Sequence, residues 1–464
     1  MILDKLLFSF ILTMGLSLGK IAEPILLKTP MAYIIEFLDH HSSLNSLAVD
    51  DYGNTYVTGY YTESAIFDTI RLNSKGDRDA FIAKYNSEGR VVWVKTIGNK
   101  DHDEGQQVVV DDAGNVYVTG YFTKSISVED TVLHSYMSIY EIYMGENNVF
   151  VIKYNSTGKL VWARTAVEGK KIQGKGIAVD KEENVYVLGE FYNSATFDTT
   201  TLNANTYSDI FIVKYTHEGK VAWAKNIGGS ESVSPFQLKV SQKGSIYILG
   251  GFESLIIGND SLTADYMEGY FIAKYSNSGK ALWGRSIEGG DTSRLDVVSV
   301  EAIDVDAEDN LYLTGWVHGV VKLDHITLWP FANRKGVDFC AKYNEKGDIQ
   351  WAKHSSEKIH YTMAMALGTG SDFYITGSSY SILPTDWNAL TGEEKNDMYI
   401  GKYNPSGELL WEKEVGGNKS QSAPFIAINH INTIYVAGET YGEISLGDTT
   451  FTSNGFGVFV WKLP

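Results

Sequence analysis

The chain has one cysteine, Cys340, in 464 residues, so no internal disulfide framework and no cysteine-based zinc knuckle can form. Proline is scarce at 8 residues, while 45 glycines and 44% hydrophobic residues set the chain apart from collagenous, low-complexity and disordered sequences. Basic residues are in the minority, 39 against 57 acidic, and the formal charge of −18 argues against nucleic acid or an anionic membrane as partner. No stretch keeps up a helical period. The uncharged run near the N-terminus, Leu6 to Leu18, is broken by Lys20, Glu23 and Pro24 before it reaches the roughly 20 residues that a membrane span needs. With Lys5 before it and Ser17-Leu18-Gly19 after it, residues 1–19 read as a secretory signal peptide. No cysteine follows the run to carry a lipid. A secreted or cell-envelope location is the expectation.

Aromatics are plentiful, with 29 Tyr, 20 Phe and 10 Trp, and together with the glycines they point to β structure with tight turns. They are also periodic. A Tyr-x-x-Gly element begins at Tyr56, Tyr117, Tyr186, Tyr247, Tyr312, Tyr374 and Tyr435, at intervals of 61, 69, 61, 65, 62 and 61 residues. Each is followed by a strand ending in Lys-Tyr, from Lys84-Tyr85 to Lys402-Tyr403, with Lys462-Leu463 in the seventh copy. Trp93, Trp162, Trp223, Trp283, Trp351 and Trp411 each lie eight residues after the tyrosine of that pair. An Asp-x-x-Gly-Asn turn precedes the first element, as at Asp50–Asn54, and an Asn-x-x-Gly loop such as Asn86–Gly89 follows the second. Each unit thus reads as four short strands. Units of about 60 residues repeated around a ring are the mark of a β-propeller.

The readable consensus, I-A-V-D-x-x-G-N-x-Y-V-T-G and then D-x-F-I-A-K-Y-N-x-x-G-x-x-x-W-A-K, resembles the bacterial β-propeller repeat (SBBP) family. The resemblance runs from about residue 30 to 464 and implies an all-β, seven-bladed propeller of four-stranded antiparallel blades. It implies secreted and surface proteins but no shared activity. The G-x-x-x-W ending is also similar to that of quinoprotein propellers. The strands here read Ile-Ala-Lys-Tyr in place of the pattern of those proteins, which argues against a quinone cofactor, and none is expected.

The blades are assigned to residues 43–98, 104–167, 173–228, 234–288, 297–354, 361–416 and 423–464, making one domain over residues 20–464. The last unit lacks a Trp strand, and residues 30–38 are expected to complete it beside residues 457–463. That closure would remove an exposed sheet edge.

The conspicuous repeats read as scaffold. The Asp-x-x-Gly-Asn turns lack the ligand spacing of a calcium loop. The tryptophans pack blade on blade. The lysine stems lie along the apolar blade with their ammonium groups in water. Cys340 stands where other units have Ile or Val and reads as a buried, inert thiol.

Function then falls to what does not repeat. The insertions gather at the end of the ring opposite the short turns. They include Tyr136, Tyr140 and Tyr143, then Trp329, then Trp387, with His102, Asp103 and Arg294 as polar neighbours. These eight residues are the candidate ligand-binding surface, for a protein or glycan at the cell surface. Alternatively, the aromatics fold back over the blade tops. No catalytic or metal-binding set is assigned: His40, His41 and the stretch His354–His360 lack ligand spacing. The expectation is a monomeric, non-catalytic binding scaffold. The alternative is a propeller lyase or hydrolase acting on an extracellular polysaccharide through ionisable groups at the channel mouth.

Overall fold

The computed structural model describes residues 32–37, 41–135, 147–231, 233–264, 269–289, 297–329, 337–355, 360–379, 397–416, 421–446 and 449–463. Among them no helix occurs, and the strands form seven antiparallel blades. The innermost strands are Ser43–Val49, Asp103–Val110, Glu168–Val179, Val233–Val240, Val297–Val305, His360–Leu367 and Gln421–Ile428. In blade one the order outward is Ser43–Val49, Thr55–Tyr61, Asp79–Tyr85 and Val91–Ile97. The next five blades repeat that order. In blade seven the outer strand is Ala32–Phe37, paired antiparallel with Thr449–Lys462 so that Tyr33 faces Val460 and Ile35 faces Val458.

The repeated residues have separate mechanical jobs. The Tyr-x-x-Gly hydroxyl ties back to the turn: Tyr56, Tyr117 and Tyr186 donate to Asp50, Asp111 and Asp180 over 2.9 Å. The Lys-Tyr ammonium lies over the same tyrosine ring in all seven blades, 4.7 to 5.7 Å from its centroid. Lys84, Lys153 and Lys274 are buried. That corrects the expectation of ammonium groups in water. The ring face and nearby oxygens, such as Asp309 at 2.9 Å from Lys274, replace the lost solvent.

Neighbouring blades meet through indole and glycine. Each Asn-x-x-Gly glycine is left-handed, with φ near 77° at Gly219 and Gly407, and from the second blade to the sixth its missing side chain admits the tryptophan of the preceding blade. A Cβ at Gly158, Gly219, Gly279, Gly347 or Gly407 would fall 2.7 to 3.2 Å from that ring. The indole of Trp162 also donates to the His217 carbonyl in that loop, at 3.1 Å.

In six of the seven blades the described residues form a further hairpin beyond the four radial strands; in blade six the corresponding connection, 380–396, lies outside the described residues. The connection after the second strand folds into a small hairpin, Ser64–Phe67 with Ile70–Asn73 in blade one and Ser125–Val128 with Thr131–His134 in blade two. These hairpins reach back to the preceding blade. Phe67 pairs with Ile35 on the outer strand of blade seven, Leu323 with Ile287 on that of blade four, and Ser127 bridges to Gly98. Phe67 is fully buried against Phe81, with ring centroids 5.0 Å apart. Blade clasps blade, and the first hairpin clasps the strand that closes the ring.

Cys340 is fully buried, and burial pushes its thiol up to about 12, so it stays protonated and inert at neutral pH.

Deleting residues 32–37 leaves Val458 and Val460 on an open edge and removes the strand that holds the first clasp. A marked fall in melting temperature is expected. An unchanged melt by differential scanning calorimetry would show that the ring does not need this strand.

Candidate functional site

Every innermost strand is bulged at an equivalent place, and the longer Glu168–Val179 also slips on either side of Lys170. The ladder slips between Leu44 and Ser46, Gly105 and Gln107, Gly174 and Gly176, Pro235 and Gln237, Val300 and Ala302, and Thr362 and Ala364. In blade seven the slip spans Ser422 to Phe425. The extra residue of a bulge leaves the ladder and its side chain is re-aimed. Here the bulged residues are Asn45, Gln106, Lys175, Phe236, Glu301, Met363 and, in blade seven, Pro424. All seven line one central cavity of about 680 Å³.

The glycine of Tyr-x-x-Gly makes the bulge possible. It sits on the second strand, opposite the residue just before the slip, as Gly59 faces Leu44. The slip carries the inner-strand carbonyl into the space a Cβ would fill, 1.9 Å away at Gly120, 2.0 Å at Gly189 and 2.2 Å at Gly315. An aromatic ring from the third strand covers the same glycine from the other side. Phe150 faces Gly120, Phe211 faces Gly189 and Phe339 faces Gly315.

Side chains at the bulges and next to them stitch adjacent blades together. The Asn45 amide donates to the Gly105 carbonyl at 2.8 Å. The Gln107 carbonyl oxygen accepts from Ile177 N at 2.7 Å, and that of Gln237 from Ile303 N at 2.8 Å. The cavity wall is therefore held at a fixed diameter by bonds between strands of different blades.

The wall is uneven. Blades one to three present Asn45, Gln106 and Lys175, whereas blades four, six and seven present Phe236, Met363 and Pro424. Between the apolar residues stands Glu301, whose carboxyl burial pushes above the ordinary range even though Ser299 and Tyr361 donate to it. At the rim between blades one and two, Arg78 pairs with Glu104 at 2.6 Å and lies over the Tyr60 ring at 4.7 Å. Among the described residues, no three His, Cys, Asp or Glu side chains converge to hold a metal ion.

The structure describes three of the eight residues read from the sequence as ligand-binding. Tyr136, Tyr140, Tyr143, Trp387 and Arg294 lie outside the described residues. Trp329 is 71% exposed, beyond the small hairpin of blade five, and its carbonyl is 2.9 Å from His354 Nε2. His102 is half-exposed beside Asp77, at 3.0 Å. Asp103 is fully buried; it accepts from Asn99 N at 2.9 Å and Thr123 N at 3.3 Å and so fastens the linker between blades. His102 and Trp329 belong to blades well apart in the ring, and the structure brings them into no common cluster. The ring of bulged residues was missed by residue type, since no two of its members are alike. Its signal is position: each stands five residues before the first residue of the following turn, as Asn45 does before Asp50 and Glu301 before Asp306.

Known proteins can be set beside this geometry. The Beta-propeller repeat (SBBP) family model matches residues 163–190, a stretch that contains the bulged Lys175 and its partner-strand Gly189. The chain is a seven-bladed β-propeller carrying a repeat of the SBBP kind. It is 24% identical over 438 residues to an uncharacterized WD repeat-containing protein of Acanthamoeba polyphaga mimivirus, covering 79% of this chain and 32% of that protein. It is 26% identical over 119 residues to the regulatory protein FlaEY of Caulobacter vibrioides, covering 25% of this chain and 12% of that protein. The chain thus spans a third or less of the length of these curated relatives. Among solved structures, a puromycin hydrolase aligns at TM-score 0.47 and 10% identity, over 89% of this chain and 54% of that one. An ulvan lyase aligns at TM-score 0.45 and 9% identity, over 86% of this chain and 91% of that one. Neither likeness carries chemistry across to this chain.

Gly120→Ala drives a Cβ to 1.9 Å from the Glu104 carbonyl and 2.8 Å from the Phe150 ring. A loss of about 1–3 kcal/mol is expected from urea denaturation. Gly370→Ala, with nothing within 4 Å, is the control and should cost little. Separately, burial pushes the Asp103 and Asp338 carboxyls up to about 8, against 3.8 for an exposed carboxyl. The folded state then keeps protons that the unfolded state releases. Stability is greatest below about pH 4 and falls until about pH 8 as far as these two groups decide it. Asp338→Asn should flatten the decline between pH 5 and 8; an unaltered slope in the urea midpoints would refute that assignment.

Proposed function

We propose that this propeller is a non-catalytic binding scaffold that takes a protein or glycan ligand at the insertion-bearing end of the ring. The carrying observation is the ring of bulges. One register position, in seven otherwise repetitive strands, turns seven unlike side chains into one cavity. A scaffold needs no such variety at equivalent places; recognition of an asymmetric ligand does. The bulges lie part-way along the inner strands, and in this reading the ligand enters from the end that carries the insertions. In this reading the cavity takes a narrow projecting part of the ligand. Around it the outer contacts come from His102 and Trp329, with Tyr136, Tyr140, Tyr143, Trp387 and Arg294. Asp103 serves by holding its linker in place.

The proposal includes a site of action in the cell envelope or outside the cell. It rests on the uncharged run Leu6–Leu18 with Lys5 before it and small residues after it.

A glycan and surface-protein array probed at two salt concentrations tests the reading. Lys175→Ala and Phe236→Ala should each weaken the best signal at least tenfold, with melting temperatures close to that of the parent. Glu88→Ala, on the short-turn end, should leave binding unchanged. Binding that survives both cavity substitutions but fails with Glu88→Ala would put the ligand on the opposite face.

A further inference from the structure

Glu301 is the one acid among the seven bulged residues that line the cavity. Two hydroxyls converge on one of its oxygens: Ser299 donates to Oε1 at 2.5 Å and Tyr361 at 3.3 Å. Tyr270 OH lies 3.2 Å from Ser299 Oγ and completes the chain of support. The second oxygen, Oε2, takes no hydrogen bond or cation among the described residues, although Glu301 lines the cavity. The nearby lysine on the blade-four inner strand, Lys239, is engaged by Asp304 at 3.2 Å.

Aromatic side chains, Phe236 and Tyr270, line the same cavity. Phe236, the bulged residue of blade four, is 43% exposed and tilts against Tyr270 with ring centroids 5.7 Å apart. Gly251 leaves room for it; a Cβ there would sit 3.3 Å from the ring. The spacing between Phe236 and Glu301 is set by one side chain. Gln237, next to Phe236, donates to the Glu301 carbonyl at 3.3 Å and accepts from Ile303 N at 2.8 Å. Gln237 therefore grips the blade-five strand at the bulged residue and two residues beyond it. The polarizable Met363 borders the same cavity from blade six.

A carboxylate oxygen without a cation, in a cavity that also presents aromatic rings with negative faces, is the chemistry that recognises an organic cation. A hard metal ion would need several more oxygen ligands than this one carboxylate supplies. We propose that Glu301, Phe236 and Tyr270 form a subsite for an organic ammonium group, so that the ligand of the cavity carries an amine where it projects into the ring. This rests on the binding reading above and specifies the chemistry of its ligand. A lysine-like primary ammonium and a quaternary ammonium share this chemistry, and the test separates them.

The test is calorimetric titration of the full chain with choline, with n-butylammonium, and with 3,3-dimethyl-1-butanol, the uncharged counterpart of choline. The expected result is binding of at least one cation, at least tenfold more tightly than the alcohol. Tighter choline binding identifies a quaternary ligand, and tighter butylammonium binding a primary one. Glu301→Gln keeps shape and hydrogen-bonding capacity while removing the charge, and should cost the cation at least tenfold without lowering the melting temperature. Phe236→Leu should also weaken it. Equal binding of the alcohol, undiminished cation binding by Glu301→Gln, or no cation binding by the folded chain each overturns the proposal. An array ligand that depends on Lys175 and Phe236 while neither cation binds would discard the ammonium subsite and leave the scaffold reading standing.

Discussion

The close approach of a bulged inner strand to a glycine on its neighbour is the contact on which the rest of this molecule depends. Without a Cβ at Gly59, Gly120 or Gly189, the carbonyl of the inner strand can occupy the vacated space, and the ladder gains a residue at that point. The gain recurs at the equivalent position of every blade. A third-strand ring backs the glycine from behind, so the distortion is packed rather than hollow. Because the extra residue is outside the ladder, its identity is free of the sheet's demands. Asn, Gln, Lys, Phe, Glu, Met and Pro can therefore occupy equivalent places in one fold.

Around that contact the other repeated residues convert seven sheets into one ring. Glycines in the outer turns receive indoles from the blade before, and lysines cover tyrosines whose hydroxyls hold the inner turns. The small hairpins add a second set of links at the opposite end, each gripping the blade behind it. Bonds such as Gln107 to Ile177 tie the inner strands directly. A rigid frame of this kind is what lets a few unlike side chains hold a defined geometry across a cavity.

Much of the frame was legible because it rests on residue types that recur. Tyr-x-x-Gly, Lys-Tyr and the tryptophans mark second, third and outer strands, and their spacing gives the blade count. The lysines were misjudged because a long cationic side chain at a strand end ordinarily reaches water, and only the fold reveals the tyrosine face that receives it. The clasping hairpins were missed because four-residue strands such as Ser64–Phe67 carry too few residues to show a period. The cavity ring escaped for the opposite reason to the frame. Its members share a position and no chemistry, so a search for recurring residues passes over Lys175, Phe236 and Glu301 alike. Asp103 was taken for a surface acid from its charged neighbours, although its place at the start of an inner strand buries it.

The central claim is that glycines build the ring while bulged residues only furnish it. The most direct measurement is the melting temperature of a chain with Asn45, Gln106, Lys175, Phe236, Glu301 and Met363 all changed to alanine. If the claim holds, the six-fold variant melts cooperatively within a few degrees of the parent, with unchanged β-sheet circular dichroism. A broad transition, or one far below the parent's, would mean that the cavity side chains hold the propeller together, and the division between frame and site would be wrong.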